Sequence, residues 1–484
     1  MSERYDLVVI GGGTGGLVSS LIAAGIGARV ALIERERTGG DCLWTGCVPS
    51  KSLLAAAHLA HRMRHAGNVG ITPVEPEIDF ASVMAHVHGA IAAIEPHDSP
   101  GRLREAGVEV LQGHGRFTDT RTIEVDGRRL RFRSAIIATG SSPALPPVRG
   151  LADADDVLTT DTLWDLRELP RRLVVLGGGP IGCELSQAFA RLGAQLTIVE
   201  MADRLLLKEE PSASELIASR LTEEGVTVRL AARAVAVRDV AGGRRELEIE
   251  TPAGPRSIGF DKLLVATGRR PRTDGLGLDE AGVDADAGGA VVVDERLHTS
   301  VPGIYAVGDV TGLLPFTHVA AHHARVATVN ALFRTRRKAQ TAATIPWVTF
   351  TDPEVARVGL TEDEARERWG DDVRIAAAAY DAVDRAITEG DTLGFAKLVG
   401  DARGRLVGAT VAAPAAGEVI GELAARLIRH DKIDAVSSAV HAYPTLAEGP
   451  ARAADALVRE RYANPRYRAA AKPLLAVLRA LPRS

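Results

Sequence analysis

The sequence predicts an α/β protein: two units of one design, followed by a smaller α+β domain. Three observations predict it. A strand, a glycine-rich turn, a helix and a second strand ending in glutamate occur in that order twice. Each copy later closes on an apolar strand ending in Ala-Thr-Gly. From residue 345 onward the pattern changes and no glycine-rich turn recurs. At 484 residues the chain is long enough for about three domains.

In the first copy, residues 5–10 are expected to form a strand and Gly11-Gly12-Gly13-Thr14-Gly15-Gly16 the turn. A helix over 17–25 and a strand over 28–33 follow, ending at Glu34. The second copy runs through a strand at 173–176, then Gly177-Gly178-Gly179-Pro180-Ile181-Gly182. Its helix is expected over 183–192 and its second strand over 195–199, ending at Glu200. Both turns read G-x-G-x-x-G, and in both the acid stands 18 residues beyond the last glycine. One such turn is weak evidence. Two in full context point to two Rossmann-like dinucleotide-binding domains: glycines admit a pyrophosphate to a helix N-terminus, and the acid holds a ribose hydroxyl. The cofactor-binding residues expected are therefore Gly11, Gly13, Gly16 and Glu34 in the first copy, and Gly177, Gly179, Gly182 and Glu200 in the second.

The closing strands end at Ala138-Thr139-Gly140 and Ala266-Thr267-Gly268, small residues suited to close passage by a nucleotide. Thr139, Gly140 and Gly268 join the cofactor-binding set. Residues 303–309 form a further apolar strand ending in Gly308-Asp309, whose carboxylate either bonds a cofactor's polyol chain or merely caps a turn.

Between the first fingerprint and its closing strand lies Gly39-Gly40-Asp41-Cys42-Leu43-Trp44-Thr45-Gly46-Cys47-Val48-Pro49-Ser50-Lys51. A structural disulfide closing so short a loop would gain little. A redox pair needs two sulfurs held close, reversible, with one reachable. Cys47 stands at the start of a helix expected from about residue 49, where the dipole favours a thiolate. Lys51 lies one turn on. The third cysteine, Cys183, sits on an apolar helix face and reads as packing.

In the last part, 346–350 is read as a strand and 361–369 as a helix, with 395–399 and 406–411 an antiparallel pair and helices near 416–430 and 447–462. The boundaries expected are 1–150 and 276–344 for the first unit, 151–275 for the second and 345–484 for the C-terminal domain.

Composition excludes several classes. The chain is 46% hydrophobic and 25% charged with a net charge of −4, so no general basic surface points to nucleic acid. It has three cysteines, no recognisable signal peptide and no run of roughly 20 apolar residues, so a cytoplasmic location is expected.

These motifs resemble the pyridine nucleotide-disulfide oxidoreductases, which include dihydrolipoamide dehydrogenase, glutathione reductase and mercuric reductase. The resemblance covers roughly residues 4–460. It implies FAD on the first unit, a nicotinamide nucleotide on the second, and a homodimer through the C-terminal dimerisation domain. It further implies that Cys42 exchanges with the substrate, that Cys47 faces the flavin, and that Lys51 pairs with Glu184 beside the flavin's reactive edge. Glu200 repels a 2′-phosphate and favours NAD(H), while Arg204 nearby keeps NADP(H) open.

One segment departs from the pattern. The disulfide reductases carry H-P-T-x-x-E, whose histidine exchanges protons with the thiols. Here Tyr443-Pro444-Thr445-Leu446-Ala447-Glu448 puts Tyr443 at the histidine's place, with Glu448 in register. Tyrosine stays protonated to about pH 10. His441 lies two residues earlier, displaced by about 6.5 Å on an extended segment. Mercuric reductases resemble this chain in the tyrosine but end in a vicinal cysteine pair, and no cysteine follows Cys183.

The expected activity is thus an FAD-dependent NAD(P)H oxidoreductase passing electrons through Cys42 and Cys47 to a thiophilic metal ion, a quinone-like electrophile or a disulfide, entering between subunits near Tyr443 and Glu448. The alternatives are a dihydrolipoamide dehydrogenase-type disulfide reductase and a low-turnover flavoprotein redox sensor. The tail is basic: Arg459, Arg461, Arg466, Arg468, Lys472, Arg479 and Arg483 stand against Glu460 alone. Its leucines could align in one helical stripe, read as docking on the dimer in preference to a membrane surface.

Overall fold

The structure is a computed structural model and describes residues 4–240 and 244–481; Arg483 of the basic tail lies outside the described residues. It comprises two compact units, one of residues 1–65, 73–205 and 218–340, the other of residues 66–72, 206–217 and 341–484.

The first unit holds both fingerprints. Its larger sheet sets Glu109–Gln112, Val30–Glu34, Arg4–Ile10 and Arg128–Ile137 side by side, all parallel. Strand residues alternate between two cores: Val8, Ile10, Ala31 and Ile33 into one, Leu7, Val9, Val30 and Leu32 into the other. Burial on both faces explains why these strands read as unbroken apolar runs. Arg128–Ile137 also pairs antiparallel with Thr122–Val125 at its start and parallel with Ile304–Ala306 at its end. That last pairing returns Gly308 and Asp309 to the sheet begun by the first strand.

A second parallel sheet runs Thr227–Arg229, Gln195–Val199, Arg172–Leu176, Lys262–Val265 and Val157–Leu158. Beside it lies an antiparallel meander of Arg233–Val240, Arg244–Thr251 and Gly254–Phe260. The sequence reading did not single out this meander. Its middle strand is so rich in charge that only the alternating, buried Leu247 and Ile249 betray it.

The second unit centres on a five-stranded antiparallel sheet ordered Trp347–Thr349, Glu354–Gly359, Leu406–Ala413, Phe395–Gly400 and Arg374–Ala379. The pair expected around residues 400–404 is present. Helices Ala416–Ile428 and Glu448–Ala463 bury Val419, Ile420, Leu423, Ala453 and Ala454 in the core of this unit. Thr361 and Glu364 close a reciprocal capping box on helix Glu362–Trp369, which fixes where that helix starts.

Candidate active site

Both glycine turns are built alike. In each, two glycines are demanded by the protein itself. A Cβ on Gly11 would stand 2.3 Å from the carbonyl oxygen of Ala138, and one on Gly16 1.8 Å from that of Gly11. The counterparts Gly177 and Gly182 would meet the carbonyls of Ala266 and Gly177 at 2.5 and 1.9 Å. The middle glycine differs. Gly13 and Gly179 have ordinary backbone angles (φ −77° and −75°). Gly179 has nothing within 4 Å of a built Cβ, and Gly13 only a Cα at 3.6 Å. Neither backbone nor neighbours require glycine there, so the bare Cα leaves room for a ligand to approach. Helices Thr14–Gly25 and Pro180–Arg191 begin behind these glycines with no side-chain cap, leaving their first amides for an anion.

The terminal acids are held the same way in both copies. Glu34 accepts from the amides of Gly12 (2.5 Å) and Glu36 (2.8 Å), and Glu200 from those of Gly178 (2.5 Å) and Ala202 (2.7 Å). Each carboxylate is pinned at its strand end with lone pairs to spare for a ribose hydroxyl. Both sites therefore fit a dinucleotide.

Around the first site, Gly308 (φ +72°) turns the chain so that Asp309 accepts from Ser141 at 2.7 Å. Burial raises the Asp309 pKa, with Ser141 and Arg269 opposing. Thr139 donates to the Arg272 carbonyl at 2.7 Å, while Gly140 (φ +70°) and Gly268 (φ +142°) keep open space where a Cβ would stand. Arg269 and Arg272 both grip Asp41, the residue before Cys42. These arginines and Ser141 were missed by the sequence reading. The only available signal was their position just after the two closing strands.

The dithiol segment is more helical than expected. Gly40–Trp44 forms a short helix carrying Cys42, and the next helix spans Cys47–Arg64, starting at Cys47 rather than near residue 49. Gly46 makes the break: a Cβ there would meet the Asp41 carbonyl oxygen at 2.8 Å. Cys47 thus occupies the first helical position, with Pro49 still within the first turn, where its missing N–H costs nothing.

Cys42, Cys47 and Cys183 are free thiols in this structure. Cys42 and Cys47 share a hydrogen bond that splits their acidities. Cys47 is lowered to about 6, above all by the bond from Cys42, then by the Thr317 hydroxyl and the charge of Lys51. These act against desolvation by the atoms around the sulfur, although the residue's surface is exposed. Cys42 is raised, first by the same bond and then by burial. Cys47 is therefore the thiolate and Cys42 the proton holder. Thr317 was missed from sequence; it opens helix Thr317–Phe333, and its Oγ1 lies 3.3 Å from the Cys47 sulfur. Lys51 pairs with Glu184 at 2.8 Å, and the Glu184 side chain is nearly buried. Cys183, fully buried, bonds the Gly178 carbonyl at 3.3 Å, and burial raises its pKa.

Two domain models match the chain: "Pyridine nucleotide-disulphide oxidoreductase" over residues 5–324, and the dimerisation domain of the same name over 345–454. The chain belongs to the pyridine nucleotide-disulphide oxidoreductase family. It is 38% identical to a dihydrolipoyl dehydrogenase of Thermus scotoductus, covering 95% of this chain and 98% of that protein. It is equally 38% identical to a mercuric reductase of Streptomyces lividans, over 92% and 94%. Among solved structures, the Cu(II) complex of the HOCl-induced flavoprotein disulfide reductase RclA from Escherichia coli matches with a TM-score of 0.83 at 27% identity, covering 94% of this chain and 100% of that one. Members of this family of flavoproteins use FAD and NAD(P)H.

In the second unit, Tyr443 is exposed and its hydroxyl donates to Asp384 at 2.9 Å. That bond, with the Asp384 charge, raises the tyrosine's pKa above its ordinary 10. Asp384 is also gripped by Arg452 at 2.9 Å. Glu448 begins its helix with a buried Oε2 that has no hydrogen-bond partner among the described residues. His441 turns instead to Glu422, 2.9 Å from its Nε2.

Proposed function

We propose that this flavoprotein oxidoreductase uses Cys42 and Cys47 to deliver electrons from NADH to a thiophilic metal ion or a quinone-like electrophile, in preference to a disulfide. Tyr443 carries the reading. The position that serves proton transfer in disulfide reductases is a tyrosine whose bond to Asp384 makes it a still weaker acid.

Gly13, Glu34, Thr139, Gly140, Gly308 and Asp309 would hold FAD, which when bound supplies two-electron exchange between a reduced nicotinamide and the thiols. Gly179, Gly182, Glu200 and Gly268 would hold the nicotinamide nucleotide. A free ribose suits Glu200, already turned inward by two amides, whereas a 2′-phosphate meets its charge. The bond from Cys42, then the Thr317 hydroxyl and the Lys51 charge, keep Cys47 ionised, and Cys42 keeps one proton.

Proton accounting separates the acceptors. When the pair oxidises, the S–S bond forms, Cys42 gives up its proton and two electrons leave. A divalent soft ion held by the sulfurs takes both electrons and no proton. A disulfide acceptor takes two electrons and two protons, one more than Cys42 provides. Tyr443 is poorly suited to supply it near neutral pH, and His441 is engaged by Glu422. A quinone-like acceptor takes two electrons and the one proton of Cys42 to leave as a hydroquinone anion that water then protonates. A disulfide that releases one thiolate balances in the same way, so the proton count by itself favours the metal ion. The mercuric reductase of Streptomyces lividans and the Cu(II) complex of RclA support a metal ion, with no cysteine after Cys183 to bind it alongside the Cys42–Cys47 pair.

The test is anaerobic reduction with NADH or NADPH followed by a panel of acceptors. NADH should be the better donor, and soft-metal or quinone turnover should exceed lipoamide or glutathione disulfide turnover by about a hundredfold. Fast disulfide turnover would refute the reading. Its abolition by His441→Gln would then favour the dihydrolipoamide dehydrogenase-type reaction. Failure of every acceptor would favour a redox sensor.

A further inference from the structure

The tail beyond the dimerisation domain forms a helix, Pro465–Ala480. Its residues segregate by charge. At 100° per residue, Leu474, Val477, Leu478 and Leu481 fall within one third of the circumference, with Tyr467 and Ala470 between them. All four large side chains are more than half exposed. Arg468, Lys472 and Arg479 line up along the opposite side, also exposed. No aspartate or glutamate occurs anywhere in this helix.

We propose that this helix docks on an anionic lipid surface, lying in the plane of the interface. Charge decides between that occupant and a second copy of the chain. A chain of net charge −4 offers a mixed surface, whereas a helix with only cations beside an apolar face matches anionic headgroups above an acyl layer. The long arginine and lysine stems reach headgroups while the leucines enter the boundary. Such a contact needs no spanning segment, and among the described residues no helix is long and apolar enough to cross a membrane. One helix of this size binds weakly, so two copies in a dimer would act together. For an oxidoreductase acting on a quinone-like acceptor the contact would bring the enzyme to a lipid-dissolved substrate; the docking itself does not depend on the acceptor's identity.

The test uses the full-length holoenzyme and sedimentation with sucrose-loaded vesicles. It should pellet with phosphatidylcholine vesicles containing phosphatidylglycerol, and not with phosphatidylcholine alone. Leu474→Glu with Leu478→Glu, and separately Arg468→Glu with Lys472→Glu, should lower binding at least about tenfold. NADH oxidation in detergent-free buffer and the mass of the assembly should not change. Absence of binding to the anionic vesicles at low salt overturns the proposal, as does binding that survives both pairs of substitutions. Dissociation of the assembly by the leucine substitutions overturns it too, showing that a second copy covers the face.

Discussion

At the scale of single residues, the two sulfurs differ only through their surroundings. Cys47 gains a hydrogen bond from Cys42, another from Thr317 and the nearby charge of Lys51, and these outweigh the desolvation of its sulfur. Its thiolate should therefore persist down to about pH 6. In the reduced enzyme, the rate of alkylation by iodoacetamide should rise with a midpoint near that value, and Cys47→Ser should remove this phase. Thr317→Ala should move the midpoint upward by roughly one unit, the worth of about 1.4 kcal/mol for a bond to a charged sulfur. An unchanged midpoint would show that Thr317 does not stabilise the thiolate.

Among the structural elements, the paired fingerprints allow a sharper comparison. Gly182 is locked against the Gly177 carbonyl, so Gly182→Ala should cost on the order of 3 kcal/mol or more and be seen as a lowered melting temperature. Gly179→Ala fills open space at an ordinary φ and should leave melting unchanged. Its effect should fall on the KM for NADH, about tenfold, because the new methyl stands where the pyrophosphate would approach. Equal effects of the two substitutions would contradict this division of roles.

Helix Thr317–Phe333 contributes a second element-scale prediction. His323 is buried in it and accepts from the Gly308 amide at 3.4 Å, which requires a neutral ring. Burial lowers its pKa from 6.5 to about 4. Between those values the unfolded chain binds the proton and the folded one does not, so stability falls as the pH drops through this window. The loss is on the order of 3 kcal/mol. Urea titrations at pH 7 and pH 4.5 should show a smaller difference for His323→Asn than for the wild type; an identical difference would exclude this histidine as a source.

For the whole molecule, the match of residues 345–454 to a dimerisation domain sets the expectation of two chains per particle. Light scattering of the holoenzyme should give twice the chain mass at micromolar concentration, and a single-chain mass would refute it. Most of the architecture was readable in advance because strands buried on both faces and glycine-rich turns leave strong local patterns. The charged meander of Arg233–Phe260 was not, since its pairing depends on neighbours and only Leu247 and Ile249 mark its inner face. The glycines of the two turns, the Cys42–Cys47 pair and the ion-paired Lys51 and Glu184 were legible as residues. Thr317, His323, Ser141, Arg269 and Arg272 were not, because each reaches the site from a distant stretch of chain.

The sequence by itself determined the two glycine-rich fingerprints, the dithiol that follows the first of them and the tyrosine at residue 443, because each is written in local spacing and residue type. The helix start already pointed to Cys47 as the thiolate, but only the tertiary structure supplied the groups that hold its charge. These are the Cys42 thiol above all, then the Thr317 hydroxyl and the Lys51 ammonium, and electrostatics act through space rather than along the chain. It also decided that Tyr443 is bound to Asp384 and His441 to Glu422. A residue's proton-transfer role is set by the partner it meets, and residues 384 and 422 become partners only when the chain folds.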